Sequence, residues 1–440
     1  MKKVLATIAN VWSVKDLRQK ILFTAFILVL YRLGAQIPLP YIDSNAISQY
    51  FKSASGSIFG YLNMISGSAL SRATLFALSI SPYITSSIVM QLLGVAFPKL
   101  GEMAKEEGGK EKMTKYTRYL TVGLALVTAF GYYMWIKNQG WLLSGNEDVF
   151  TAIVIIICYC AGAALIMWMG EKINERGIGN GISMILFANI VSGGFTSVSG
   201  LWDTLTNGNW WGPVITVVGL AIALAMIWFM VYVSDSERRI PVQYAKRVVG
   251  RKMYGGQSSV LPMKINMSGV MPIIFASSII SIPATIAMMA GQTSADTATG
   301  AWKVILTLFG TDSFVYLVLY ILLLFLFAYF YIGISFDPIE VSNNLKKNGG
   351  FVPGIRPGRP TSDYIRKILN RVTLIGATFL AIISGVPLLV NCVASLFNVT
   401  ALNAIAFGGS SLLIVIGICL ETAREIEAQM TMRNFKGFLD

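Results

Sequence analysis

The 440-residue sequence contains no histidine, and the acidic residues near its apolar segments stand only at the edges, as Glu421 does. Ion-coupled transporters place Asp, Glu, His or Lys within the membrane, because the coupled ion must bind there. Serine and threonine are plentiful, but without a histidine or a buried lysine beside them they lack an activating base. We therefore expect neither an ion-coupling site nor a catalytic site, and the protein is predicted not to be an enzyme.

Cysteine is scarce as well, and the four cysteines all lie within apolar runs, at Cys158, Cys160, Cys392 and Cys419. In such surroundings cysteine behaves as a small buried hydrophobe more often than as a disulfide partner or a metal ligand. No metal site and no cofactor are predicted. The sequence also has no phosphate-binding loop of the G-x-x-x-x-G-K-[ST] type, so a partner would have to supply the energy for any transport.

Charged residues make up 13% of the chain, hydrophobic residues 55%, and the mean hydropathy is +0.63. An ordinary soluble domain carries about 25% charged residues. Apolar runs of about 20 residues, long enough to cross a bilayer, recur along the sequence. This pattern predicts an all-α polytopic membrane protein whose first apolar run is a retained span. We place ten transmembrane helices, at 21–38, 74–97, 119–137, 150–170, 182–200, 213–234, 268–290, 313–336, 371–396 and 404–422.

The net charge of +13 follows the predicted topology. An even number of spans places both termini on one side of the membrane, and nearly all of the 35 Lys and Arg residues lie in the connectors on that side. By the positive-inside rule, both termini and the long basic loops 235–267 and 337–371 are predicted to be cytoplasmic. The remaining five residues lie in the predicted spans or in connectors on the other side: Arg32, Lys52, Arg72, Lys137 and Lys303.

The second and seventh spans share a weak internal similarity. "PYITSSIV" from Pro82 and "PIIFASSI" from Pro272 match at the first, third and sixth positions. The two segments are offset by five spans, an odd number, so one repeat would be inverted relative to the other. The working site is then expected at the interface between the repeats. We predict two pseudo-symmetric halves, 1–200 with spans 1–5 and 201–440 with spans 6–10; coincidence among common membrane residues is the alternative.

The same two spans are rich in hydroxyl residues, which let helices approach closely and hydrogen bond across an interface that can still open. Plain packing is the alternative. Aliphatic residues also recur at one-turn spacing, as in the pairs Ile80–Ile84 and Ile182–Leu186, so each pair points in one direction. A ring of such side chains can close a pore by excluding water, although a single isoleucine in a membrane helix is more often a packing or lipid-facing residue.

The segment "GSIFGYLNMISGSALSRATLFALSI", residues 56–80, fits no simple category. It is too apolar for a soluble loop, and its Gly, Ser, Asn and Arg residues make it a poor span. Broken backbone at membrane depth is tolerated only where it is buried in protein or lines a watery cavity. The segment therefore points to a re-entrant element.

Several segments, in order along the chain, resemble the SecY family of protein-conducting channel subunits: "NMISGSALSRATLFALSISPYITSSIVMQLL", "ERGIGNGISMILFANI", "RRIPVQYAKRVVGRK", "LPMKINMSGVMPIIFASSIISIPATI", "NNLKKNGGFVPGIRPGRPTSDYI" and "GGSSLLIV". The resemblance implies a clamshell of two halves around an hourglass channel, with a lateral gate between spans 2 and 7 and a short re-entrant plug helix within about residues 56–72.

The resemblance also assigns site residues. The pore ring would consist of Ile80, Ile84, Ile182, Leu186, Ile274 and Ile414, where Leu186 stands in place of the family's common isoleucine. The plug would include Gly60, Asn63, Met64, Ile65, Ser66, Gly67 and Leu70. The lateral gate would include Pro82, Thr85, Ser86, Ser87, Gln91, Pro272, Ser277 and Ser278.

Partners follow from the same resemblance. Arg251, Lys252 and Arg356 match positions that in the family engage the ribosome and the ATPase SecA, and guanidinium groups suit phosphate geometry. The subunits SecE and SecG, unfolded preproteins with signal sequences, and the lipid bilayer of a bacterial plasma membrane would complete the set. For the polypeptide channel implied here, the rival is a small-solute secondary transporter, which would require a polar site at the membrane midplane.

Overall fold

The structure is a computed structural model, and it describes residues 12–53, 63, 66–106, 108–143, 148–193, 212–244, 247–249, 252–254, 258–290, 300–310, 313–397, 411 and 414–430. Most of these residues are helical. In chain order the helices are α1 Lys15–Gly34, α2 Ser44–Ser53, α3 Ser81–Ala96, α4 Pro98–Lys105, α5 Gly109–Asn138, α6 Val149–Arg176, α7 Gly181–Gly193, α8 Gly212–Asp235, α9 Met271–Ile280, α10 Ile282–Met289, α11 Ala301–Leu308, α12 Phe314–Ser335, α13 Pro338–Lys347, α14 Arg359–Phe397 and α15, residues 414–430.

Among the residues that the structure describes, four helical stretches are long and apolar enough to cross a membrane, namely Gly109–Asn138, Val149–Arg176, Phe314–Lys347 and Arg359–Val390. Shorter apolar helices occur at Gly181–Gly193, Leu224–Asp235 and Met271–Ala287. Each of the ten predicted spans overlaps a helix, although parts of the fifth and tenth lie outside the described residues.

The second predicted span begins too early. It was predicted from residue 74, whereas α3 begins at Ser81 and residues 66–80 form a succession of turns. The reason is local: Ser79 has a φ of 53°, outside the helical region, and Pro82 lies in the first turn of α3. Proline is favoured at the start of a helix because its missing N–H would have had no partner there.

The prediction of an all-α chain was wrong for the two long basic loops. Strands β1 Glu237–Tyr244, β4 Ser258–Lys264 and β5 Gly350–Phe351 form an antiparallel sheet in the order β4-β1-β5, and β2 Arg247–Val249 pairs with β3 Lys252–Tyr254. Ile240 and Val242 are buried and alternate with exposed residues, as in a sheet with one covered face. The hydrophobic cluster beneath includes Met263, Val352 and Leu369.

Several helices contact neighbouring backbone at glycines, where a side chain would not fit. A Cβ at Gly162 of α6 would lie 2.0 Å from the carbonyl oxygen of Leu75, so α6 packs directly on the turns formed by residues 66–80. A Cβ at Gly181, the first residue of α7, would lie 1.9 Å from the carbonyl oxygen of Gly170. These backbone contacts fix α6 and α7 relative to residues 66–80.

We expect Gly181→Ala to destabilise the protein by about 1–3 kcal/mol, the typical cost of overpacking a tight contact. The added methyl group can be accommodated only if the backbones of α6 and α7 move apart. The measurement is the apparent melting temperature of the purified protein in detergent.

Gly123→Ala is the matched control, because nothing lies within 4 Å of a Cβ at that position on α5. Alanine in a helix interior is favoured over glycine by roughly 0.5–1 kcal/mol, so this variant should be no less stable than the parent. Equal melting temperatures for the two variants would contradict the assignment of the α6–α7 contact.

Candidate functional site

The six residues predicted as a pore ring come from four separate parts of the chain and meet in one apolar cluster. Ile80 and Ile84 lie at the start of α3, Ile274 on α9, and Ile414 at the start of α15; with Leu186 on α7 they are at most 5% exposed. Ile182, also on α7, is partly buried and packs against the same cluster. All six thus belong to, or pack against, one large apolar core, and their role as a ring stays a prediction.

Beside this cluster lies the turn segment, residues 66–80. Among the predicted plug residues, Gly60, Met64 and Ile65 lie outside the described residues, while Asn63 is helical and Ser66, Gly67 and Leu70 belong to the turns. Four residues of the segment have positive φ: Gly67, Ser68, Ala73 and Ser79. A regular plug helix is therefore not what residues 66–80 form, because positive φ interrupts a right-handed helix repeatedly.

In the turn segment, hydrogen bonds outside any helix satisfy the backbone N–H groups. The backbone N–H of Ser68 donates to the carbonyl oxygen of Asn63 at 2.9 Å, and the N–H of Ser71 donates to the Asn63 side chain, also at 2.9 Å. The Ser66 hydroxyl accepts from the N–H of Leu70 at 3.3 Å. Buried backbone groups need such partners, and Asn63 supplies two of them.

Surrounding helices hold the segment as well. The Tyr132 hydroxyl on α5 donates to the carbonyl oxygen of Leu70 at 2.7 Å. Arg32 on α1 donates to the carbonyl oxygen of Gly67 at 3.4 Å, and the Asn189 amide on α7 donates to the Ser79 hydroxyl at 3.3 Å. None of these three residues was predicted from the sequence as a site residue. The only available signal was Arg32, a charge near the end of an apolar run.

The predicted lateral gate is built from α3 and α9, which contact each other. The two helices begin alike: the preceding residues Ile80 and Val270 have nearly equal φ and ψ, and each helix has a proline, Pro82 or Pro272, in its first turn. This local match extends the sequence similarity between the two segments to the backbone.

Hydroxyl residues at this interface behave differently from the expectation. Ser86 donates to the carbonyl oxygen of Pro82 at 2.7 Å, and Ser277 to that of Ile274 at 2.9 Å, so both bond within their own helices rather than across. Gln91 likewise donates to Ser87 at 3.3 Å. A hydroxyl in apolar surroundings satisfies itself most readily on the preceding turn. These bonds leave the α3–α9 contact to close packing of small groups.

A cavity of about 300 Å³ opens between the gate helices and the turn segment. Its lining is mostly apolar and includes Thr85 of α3, Ser278 of α9, Leu70 of the turn segment and Tyr132 of α5. The volume lies at the lower end of the range for small-molecule sites. Three of the predicted gate residues, Pro82, Thr85 and Ser278, and two of the predicted plug residues, Ser66 and Leu70, therefore border one space.

The basic loops meet in the three-stranded sheet. Gln243 and Tyr244 of the loop 235–267 pair with Phe351 and Gly350 of the loop 337–371. Arg356 is exposed on a turn, its carbonyl oxygen accepting from the Thr361 hydroxyl at 2.8 Å. Lys252 lies in β3, and Arg251 lies outside the described residues.

Electrostatics at the base of this sheet are shaped by burial. Lys264, the last residue of β4, is partly buried, and burial lowers its pKa, with the neighbouring charge of Arg424 acting in the same direction. Arg424 on α15 donates to the carbonyl oxygen of Ser234 at the end of α8. The sheet is thereby connected to α8 and α15 as well as to α12 and α14.

The architecture is shared with solved membrane channels that conduct polypeptides. A solved structure described as a protein-conducting channel superimposes with a TM-score of 0.64 at 17% identity, covering 93% of this chain and 92% of that one. Sec61 in the canine ribosome–channel complex from the endoplasmic reticulum superimposes with a TM-score of 0.60 at 16% identity, with the same coverage.

Sequence comparison narrows the class to one family. The SecY family model matches residues 74–423. The protein translocase subunit SecY of Streptomyces galbus is 43% identical over 454 aligned positions, which cover 99% of this chain and all of the relative. The chain belongs to the SecY family, and it is a subunit of a protein-conducting channel.

We expect Ile84→Asn combined with Ile274→Asn to raise the ion conductance of the resting channel, because two amides in an aliphatic constriction hydrogen bond to water and oppose its drying. The measurement is conductance in planar bilayers without a translocating chain. Ile84→Val with Ile274→Val keeps the constriction apolar and should leave resting conductance unchanged. If the resting conductance of the Asn variant equals that of the parent, the ring assignment is contradicted.

Proposed function

We propose that this chain is the passive, gated conduit of a bacterial secretion channel, with ten spans in two inverted halves of five, residues 1–200 and 201–440, arranged as a clamshell. The observation that carries the proposal is the aliphatic cluster of Ile80, Ile84, Ile182, Leu186, Ile274 and Ile414, covered on one side by a buried non-helical segment. Aliphatic side chains bind a moving polypeptide weakly and exclude water when it is absent.

Topology supports a cytoplasmic position for the basic loops and both termini. The positive-inside distribution of Lys and Arg is strong, and the five remaining residues lie in predicted spans or in connectors on the other side. The matching starts of α3 and α9 support the inverted repeat. Localisation would be the plasma membrane, in which α5, α6, α12 and α14 already have the length and apolarity of full spans.

The first part of the turn segment, residues 66–72, would belong to the plug, which was predicted within about residues 56–72. The turn segment is held in the protein by side chains of three helices and borders the gate cavity. When a signal sequence separates α3 from α9, the cavity between them would widen toward lipid and the segment would leave the ring. Signal sequences and nascent membrane helices would exit sideways through this gap.

Partners would act from the cytoplasmic side. The sheet presents two basic loops together, a surface suited to ribosomal RNA or to acidic groups of the SecA ATPase. Sec61 in the canine complex is bound to a ribosome, which supports the same mode of docking here. SecE and SecG would complete the channel, and SecA or the translating ribosome would supply the energy.

Reconstitution tests this function. Vesicles that contain the chain with SecE, SecA and ATP are expected to import a secretory preprotein, and import should stop when ATP is removed. The rival, a small-solute transporter, predicts saturable uptake of a solute and no preprotein import. That second outcome would refute the channel proposal.

The basic loop 337–371 gives a separate prediction. Arg356→Glu should strongly reduce SecA-driven import, because it reverses a charge that is fully presented on a turn, while membrane insertion and folding are unaffected. The measurement is import rate at equal amounts of inserted channel. Lys112→Glu, an exposed charge reversal at the start of α5, is the matched control and should import normally. Equal impairment of both variants would indicate a general charge effect instead of docking at Arg356.

A further inference from the structure

Arg32 is a charged residue in the last turn of α1, within a predicted span. A charge at such a position is costly unless it is partnered, and partnered intramembrane charges are commonly functional. The Arg32 guanidinium donates to two acceptors on different elements, the carbonyl oxygen of Gly67 in the turn segment at 3.4 Å and the Ser192 hydroxyl on α7. It therefore bridges α1, α7 and the segment that covers the aliphatic cluster.

Gly67 fits this position only because it lacks a side chain. Its φ is +64°, and an added Cβ would lie 2.9 Å from the Arg32 guanidinium nitrogen Nη1 and 2.9 Å from Oδ1 of Asn189. The Asn189 backbone is equally close, with its Cα at 3.1 Å. The turn at Gly67 is thus seated directly on two polar side chains of the surrounding helices.

Asn189 contacts the other end of the segment as well. It is fully buried and donates to the hydroxyl of Ser79, whose φ of 53° turns the chain into Ile80. On α7, Asn189 follows Ile182 and Leu186 at spacings that place all three on one face of the helix. The polar contact to the segment and the aliphatic ring residues are therefore arranged along the same helix face.

We propose that Arg32 and Asn189 form a polar latch that holds the turn segment in its closed position. Arg32 is a positioning residue, because it binds a backbone carbonyl. This hydrogen bond depends on the backbone path of the segment and on the glycine at position 67 more than on the other side chains. The inference rests on the proposed channel function, since it assigns the contact that keeps the channel plugged.

Release of the latch has a defined physical course. When the segment leaves, Arg32 loses the Gly67 carbonyl, yet its bond to Ser192 keeps the guanidinium partnered. Leaving therefore breaks one charge-assisted hydrogen bond without stranding a charge in an apolar environment, which would be far more costly. A latch of this kind is strong enough to seal the resting channel and weak enough for a signal sequence to open it.

Arg32→Gln tests the latch in the complete channel complex in planar bilayers. We expect the ratio of unplugged to plugged channels to rise by about tenfold, the effect of losing one hydrogen bond to a charged group, and resting conductance to rise with it. Import of preproteins with defective signal sequences should increase in parallel. Resting conductance equal to that of the parent would overturn the proposal.

A second variant approaches the same contact from the segment. Gly67→Ala forces the segment off Arg32 and Asn189 and should reproduce the conductance of Arg32→Gln, whereas Ser68→Ala adds no new atoms at the adjacent positive-φ residue and should not. Equal conductance for both alanine variants would overturn the latch. This pair keeps the test informative if Arg32→Gln fails to assemble.

Two controls separate the latch from simpler effects. Lys137→Gln removes an exposed positive charge from the last turn of α5 and should leave resting conductance unchanged. Arg32→Lys keeps the charge at the end of α1 without the guanidinium fork, so it should fall between parent and Arg32→Gln; full parental behaviour would indicate a favourable helix-terminus charge only and overturn the latch. Failure of the parent to import any preprotein would refute the proposed function itself, independently of these conductances.

Discussion

A membrane interior offers no water to backbone groups, and this constraint governs the centre of the structure. Residues 66–80 are not helical, so each buried N–H and carbonyl must find a partner in the protein. Asn63 supplies some from just before the segment, and Tyr132 and Arg32 supply others from neighbouring helices. Close glycine contacts, as at Gly162, bring the helices near enough to do so. The position of the turn segment is thus set by hydrogen bonds as well as by the apolar contacts of buried residues such as Leu70 and Phe76.

The aliphatic cluster has the opposite character. Its residues come from α3, α7, α9 and α15, and their side chains offer no hydrogen bonds and little geometric preference. Dispersion contacts of this sort are individually weak and hold a closed state only collectively. Polar contacts of the turn segment and apolar contacts of the cluster are therefore complementary: the former specify a position, and the latter exclude water. A channel that has to seal and still pass many different sequences needs both properties.

Much of this arrangement was accessible from the sequence. The apolar runs predicted helices at nearly the observed positions, because about 20 apolar residues have few other stable conformations in a bilayer. The convergence of Ile80, Ile274 and Ile414 came from family resemblance, since spacing alone could not relate isoleucines so far apart. The latch residues Arg32 and Asn189 were missed because their partners are backbone atoms and a distant hydroxyl, which leave no pattern in the sequence. The strands of the basic loops were missed because their alternation is short and lies among charged residues.

The pairing of β1 with β5 has a consequence for the strength of docking. The paired residues of the two basic loops are more than one hundred positions apart in the chain, yet Gln243–Phe351 and Tyr244–Gly350 join the loops in one sheet. A partner that contacts one loop finds the other already held at a fixed distance, so the second contact occurs at a high effective concentration. Two individually weak contacts then multiply into a stable but still reversible attachment. In the proposed docking, two partners could exchange on the same surface, because a competitor can displace the bound partner one loop at a time.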